Sequence, residues 1–160
     1  MSIVIVDYDP LWPQWFEEEV EPIKSALGEK CIALHHIGST AVPGLSAKPV
    51  IDILAVVKAF SAVNTVALEG LGFEARGEVI ESGRYFSKEN PRVHLHLFEE
   101  GNPLIEYHLK FRDWLRTHEE DCKAYAALKL ELASRHSVGA EYAKDKTDFI
   151  EQIMAKMEVE

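Results

Sequence analysis

With 160 residues, of which 47% are apolar and 28% charged, the chain is long enough to bury a core and has the composition of an ordinary globular protein. Its net charge of -10 excludes a general nucleic-acid binder, which needs a basic face to neutralise phosphates. Cys31 and Cys122 lie far apart with no CxxC pair, so neither a zinc knuckle nor a disulfide framework is indicated, and both are expected as reduced, buried thiols.

The opening MSIVIVDYDP lacks a basic start and reaches an acid after a short apolar run, unlike a signal peptide. No apolar run approaches the length of a membrane span, so no membrane partner is expected and the chain reads as a soluble cytoplasmic protein. Ile3 to Val6, β-branched and short, predicts a first strand. Asp9-Pro10 then starts a helix with Trp12, Trp15, Phe16, Val20, Ile23 and Leu27 at helical spacing, closed by Gly28. Cys31 to Ile37 predicts a strand and Gly38 to Lys48 a turn and loop. Pro49 to Val57 is a nearly continuous apolar run, which suits a central strand covered on both faces.

Ala59 to Leu71 predicts a helix, ending at Gly70 and Gly72. Arg84 to Ser87 and Arg92 to Phe98 predict neighbouring strands joined through Glu89-Asn90-Pro91. From Pro103 onward the chain reads as helical, in three pieces broken near Thr117 and around Ser137 to Gly139. There is no internal repeat or obvious linker. The expectation is a single α+β domain over residues 1–160, with three or four strands in a core to about residue 100 and a helical part from about 103.

Gly38, Ser39 and Thr40 follow a predicted strand. Small residues there leave backbone N–H groups free to approach a phosphate, and a helix start would add its positive dipole end. The same residues also suit a tight turn that needs glycine for its dihedrals, and the P-loop pattern is absent. Asp52 sits among Val50, Ile51, Ile53 and Leu54, where a carboxylate is costly to bury unless it is paired or metal-bound.

His94 and His96 alternate along VHLHLF, so both point to one face while Val93, Leu95 and Leu97 point to the other. That face is either a ligand site or simply solvated. Lys48, Arg84, Lys88, Arg112, Lys129, Lys144 and Lys146 are the cations available to a phosphate. Lys129 and Lys146 also read as ordinary solvated helix lysines, Arg112 and Asp113 as an ion pair, and Tyr125 and Tyr142 as core aromatics. Glu106, Asp113 and His36 are further acids and imidazoles to which the sequence assigns no place.

The segment HIGSTAVPGLSAKPVIDIL resembles the GrpB-like family of the nucleotidyltransferase superfamily. The resemblance continues through VDYDPLWPQWFEEE at the start, FRDWLRTH (Phe111 to His118), YAALK (Tyr125 to Lys129), and Tyr142 with Lys144-Asp145-Lys146. It covers nearly the whole chain. It implies a mixed β-sheet flanked by helices, a glycine-serine turn that holds a nucleotide's phosphates, and two carboxylates alternating along one strand that hold divalent metal. A third acid often sits on an adjacent strand.

Gly38 and Ser39 match the turn and Asp52 matches one carboxylate. Val50 and Leu54 stand where the second carboxylate would be, so this strand departs from the pattern. On this resemblance Asp52 is the catalytic candidate and a metal ligand. Gly38, Ser39, Thr40, Lys48, Arg84 and Arg112 are the phosphate-binding candidates. The metal is magnesium or manganese, which prefer oxygen ligands. His94 and His96 stand on a strand comparable to that of the third acid, and if they ligate, a carboxylate with two imidazoles favours zinc, manganese, iron or nickel over magnesium.

The implied activity is transfer of a nucleoside monophosphate to an unidentified small-molecule or protein acceptor. The alternatives are a catalytically silent nucleotide- or small-ligand-binding module on the same fold, and a metal-dependent hydrolase. Either active reading requires Asp52 to share a sheet face with His94 or His96.

Overall fold

Asp9 begins the first helix: its Oδ1 accepts the Leu11 N–H at 2.9 Å. Helix α1 then runs Trp12–Leu27, burying Trp12, Ile23 and Leu27 along one stripe, and ends at Gly28, whose φ of 71° lies in the left-handed region. The computed structural model describes residues 4–77, 83–135 and 139–159, the described side chains excluding Ala62, 135–145 and 158–159. Strands β1 (Cys31–Ile37), β2 (Ile51–Val57), β3 (Glu74–Gly77), β4 (Gly83–Lys88) and β5 (Val93–Glu99) form a five-stranded sheet in the order β1-β2-β5-β4-β3. The β2–β5 pair is parallel and the other neighbours are antiparallel, so the sheet is mixed. Parallel neighbours need a long crossover. Here it contains helix α2 (Thr65–Gly70) and the β3 and β4 strands.

Each central strand divides its side chains between two covered faces. Ile51, Ile53, Ala55 and Val57 of β2 join Val93, Leu95 and Leu97 of β5 in a core with α1 and Leu68 of α2. On the other face, Leu54, Val56 and Phe98 pack with Ile37 against Leu104, Ile105 and Leu109 of helix α3 (Pro103–Thr117). A third cluster ties Val42 and Leu45 of the loop after β1 to the C-terminal helices. It contains Trp114 and Leu115 of α3, Tyr125 of α4 (Glu119–Arg135) and Ile153 of α5 (Gly139–Val159).

The α+β class, the strands at 31–37, 51–57 and 93–99, and the helix break after Thr117 match the sequence expectations. Three expectations are corrected. Val6 forms only an isolated bridge to Ala47, with N–H···O distances of 2.9 and 3.0 Å, and no strand. Its neighbours meet only a loop, so no ladder can propagate; Ile3 lies outside the described residues.

The stretch Ala59 to Leu71 is not one helix. It holds a single 3₁₀ turn at Phe60–Ala62 and the short α2, because Asn64 Oδ1 accepts the Ala67 N–H at 3.0 Å and starts the helix there. Strand β3 was not foreseen, since Glu74-Ala75-Arg76-Gly77 is an exposed edge without apolar alternation. Of the second helix break, Ser137 and Val138 lie outside the described residues.

Candidate functional site

Parallel pairing places Asp52 beside His94 and Leu54 beside His96, and strand alternation puts the acid and both imidazoles on one face. Asp52 Oδ1 lies 3.3 Å from His96 Nε2, a hydrogen bond, and 3.6 Å from His94 Nδ1, an electrostatic contact. Tyr85 of β4, paired with His96, stacks on that ring at 5.0 Å and meets His94 edge-on at 5.3 Å, so one phenol orients both imidazoles. Burial works against the Asp52 charge. The His96 hydrogen bond and the nearby His96, His94 and Lys146 outweigh it and hold the carboxyl below its ordinary range. Burial lowers His94, which favours its neutral form.

Ile37 pairs with Asp52 across β1 and β2, so the next residue, Gly38, crosses directly over the carboxylate. A Cβ at Gly38 would sit 2.7 Å from Asp52 Oδ2. The φ of 76° and ψ of -173° are a combination that glycine alone adopts without strain. Gly38→Ala is therefore expected to cost about 1–3 kcal/mol in backbone strain alone. It should also turn the Asp52 side chain, read as a changed His96 imidazole shift by NMR. A mutant as stable as the native chain would mean that the turn is loose.

Ser39–Ala41 continue as a single 3₁₀ turn. Thr40 is buried: its hydroxyl donates to the Val50 carbonyl at 3.1 Å and so must accept from His36, 2.9 Å away. His36 therefore carries its proton on Nε2, stacks on Phe16 at 5.0 Å, and is pushed down to about 4 chiefly by burial. From α3, Arg116 gives two hydrogen bonds of 2.8 and 2.9 Å to the Ala41 carbonyl, and Arg112 gives one of 3.2 Å to that of His36. The FRDWLR segment thus clamps the turn.

Sheet face, turn and helices α3, α4 and α5 enclose a cavity of about 460 Å³. A profile of the GrpB protein family matches residues 2–156. The chain belongs to the GrpB family. The crystal structure of the conserved protein GrpB from Enterococcus faecalis superposes with a TM-score of 0.86 at 34% identity, covering 96% of this chain and 99% of that one. The UPF0157 protein YqkA of Bacillus subtilis is 41% identical over 93% of this chain, which spans 45% of that protein's length. The UPF0157 protein BH1888 of Halalkalibacterium halodurans is 38% identical, with 97% of this chain and 82% of that one covered. The family read from HIGSTAVPGLSAKPVIDIL is the right one, and the GrpB fold here is a nucleotidyltransferase-like mixed sheet with flanking helices.

In this GrpB chain, Gly38, Ser39, Thr40, Lys48, Asp52, His94 and His96, all singled out from sequence, line the same cavity. Arg84 and Arg112 do not. Arg84 points from the opposite face of β4, its guanidinium 4.3 Å over the Phe60 ring. Arg112 is turned toward Asp113, at 2.9 Å, and the end of β1. Lys88 pairs at 2.6 Å with buried Glu19 on the α1 face, and Glu106 with Lys110 at 2.9 Å on the surface. The side chains of Tyr142, Lys144 and Asp145 lie outside the described residues. Cys31 and Cys122 are free thiols, half-buried rather than buried.

Lys129 and Lys146, read both as cations available to a phosphate and as ordinary solvated lysines, line the cavity wall. Lys129 is 2% exposed, donates to the Ser46 carbonyl and lies 4.9 Å from the Tyr125 ring. Burial, reinforced by Lys146, pushes it down to about 7, and burial also lowers Lys146 and Lys48. Tyr125 is both core and wall: it stacks on Phe149 at 5.2 Å, and its phenol is hydrogen-bonded to Ser39, while burial raises its pKa. The sequence reading missed Tyr107, His108 and Phe111, which line the cavity from α3. Helical spacing from Leu104 to His108 and Phe111 was the available signal. Burial pushes His108 down to about 4.

One carboxylate with two imidazoles is a donor set that borderline cations accept. Among the described residues, however, no group of three such side chains is arranged to hold a metal ion. Both imidazole nitrogens address the same Asp52 oxygen, His96 at hydrogen-bond distance and His94 as an electrostatic contact. Asp52 alone fits a magnesium-type ion, which typically takes one or two carboxylates and completes its shell with substrate phosphates and water. No helix of the described residues is long and apolar enough to cross a membrane.

Proposed function

We propose that the cavity binds a nucleotide together with a divalent cation and that, given an acceptor, the chain transfers a nucleoside monophosphate to it. One observation carries the reading: Lys48, Lys129 and Lys146 converge with the Gly38-Ser39 turn on one pocket in a protein of net charge -10. Its volume of about 460 Å³ suits one small ligand, within the roughly 300–1,000 Å³ usual for such sites. The three ammonium groups would offset phosphate charge, and the turn amides would bind its oxygens. Tyr107, Phe111 and Ile150 offer apolar surface to the rest of the ligand.

Asp52 would hold the cation, which when bound neutralises charge on the phosphates. His96 donates its Nε2 proton to that carboxylate, which fixes the ring and leaves Nδ1 as the nitrogen that would accept the proton of an attacking hydroxyl. A second reading, a module that binds the nucleotide without transferring it, is favoured by Val50 and Leu54, which are 5% and 0% exposed where the second carboxylate would stand.

A ligand that binds only the folded state at a hundredfold excess over its Kd adds about 2.7 kcal/mol. For a chain of this size the melting temperature should rise by roughly 5 to 11 °C with nucleoside triphosphate plus magnesium or manganese. Pyrophosphate release that depends on an added acceptor would establish transfer; phosphate release without one would indicate a hydrolase. The absence of any shift across nucleotides and metals would reject the nucleotide reading.

A further inference from the structure

Lys129 is a buried cation whose contacts among the described residues, a backbone carbonyl and a ring face, include no counter-charge. Among the described residues, the titratable groups that line the pocket with it are Lys48 from the loop before β2, Asp52 from β2, His94 and His96 from β5, Tyr107 and His108 from α3, Lys146 from α5 and Tyr125 on its own helix, which also carries Cys122. Lys48 and Lys146 both oppose a further positive charge. An ammonium there becomes favourable only when an anion arrives.

Taking the pocket as the nucleotide and cation site proposed above, its formal charges can be matched to a ligand. Among the described residues, Lys48, Lys129 and Lys146 less Asp52 leave two positive charges, and a divalent cation brings the total to four. That equals the charge of a fully ionised nucleoside triphosphate. With Lys129 neutral the total is three, one short.

We propose that Lys129 sets the preference for a triphosphate over a monophosphate by taking up one proton as the triphosphate binds. The ammonium so formed pairs with the phosphoryl oxygens while the Ser46 carbonyl keeps one of its N–H donors. No covalent bond forms or breaks, and the proton comes from solvent. At pH 8 the nucleotide's own phosphates are already ionised, because their last pKa lies near about 6, so uptake with the nucleoside triphosphate reports on the protein.

The experiment is calorimetric titration with magnesium adenosine triphosphate, inorganic triphosphate and adenosine monophosphate, in two buffers of different ionisation enthalpy, at pH 6 and pH 8. The expected result for magnesium adenosine triphosphate is close to one proton taken up at pH 8, little at pH 6, and an affinity that weakens as pH rises; inorganic triphosphate should compete for the same site. Lys129→Met, of similar length but uncharged, should bind triphosphate on the order of tenfold more weakly at pH 6, with no proton uptake at pH 8. Lys129→Arg, permanently charged, should bind without uptake at either pH. These variants separate Lys129 from Lys146 and Lys48. Triphosphate binding with no uptake, or uptake unchanged in Lys129→Met, overturns this proposal and leaves the nucleotide reading standing. No binding of any of the three probes sinks both.

Discussion

In the Asp52→Asn protein, the melting temperature is expected to stop responding to divalent cation. The native chain should gain about 2.7 kcal/mol from saturating nucleoside triphosphate and metal, and the asparagine variant should lose the metal-dependent part of that gain. The substitution keeps the shape beneath Gly38 but removes the charge that would hold the cation. The ligand-free protein offers a control. Asp52 also pairs with His96 and His94, so the mutant should be somewhat less stable even without ligand.

The direction with pH follows from the depressed carboxyl. Its contribution is present above the unfolded value near about 4 and is lost as pH falls through the lower folded value. Differential scanning fluorimetry on both proteins, with and without manganese, separates the roles. A destabilised mutant whose ligand response is intact would make Asp52 a structural partner of the histidines and nothing more.

Acidification from about pH 7.5 to about 4 is expected to cost about 3 kcal/mol through His36 alone, or roughly 6 to 12 °C in melting temperature. His36 is 7% exposed and pushed down to about 4, chiefly because burial penalises its charged form, with Arg116 and Arg112 adding to the effect against Asp52. The unfolded chain takes up the proton near about 6.5, before the folded chain does. Stability is therefore complete above that pH and declines as pH falls toward the folded value. His108 acts in the same direction. His36→Gln retains an N–H donor for Thr40 and cannot titrate, so its urea midpoint should be lower at pH 7 but flatter with pH. An equally steep profile in that variant would place the acid sensitivity elsewhere.

Alternation is a property of the strand itself, so VHLHLF by itself committed His94 and His96 to one face. The apolar run around Asp52 likewise marked a strand covered on both sides, and the order of small residues after β1 marked the turn that crosses it. These features need only bonded geometry and the preference of apolar groups for the interior. The short elements were less legible. The helix at Thr65–Gly70 depends on a single cap, and β3 owes its existence to β4 rather than to its own residues.

Which faces of α4 and α5 close the site was not written in any local pattern. Lys129 lies four residues after Tyr125, so the two share a stripe, but a stripe carrying a lysine serves equally well facing water. Only the docking of α4 on the loop at Ser46 buries that ammonium and gives it a carbonyl. Arg84 and Arg112 show the reverse: cations available on paper, taken up by Phe60 and by the carbonyl of His36. The sequence determined the strand that carries the acid and the strand that carries the imidazoles. The tertiary packing decided which cations face them, because a long side chain's partner depends on what stands across a gap, and chain neighbours carry no record of that.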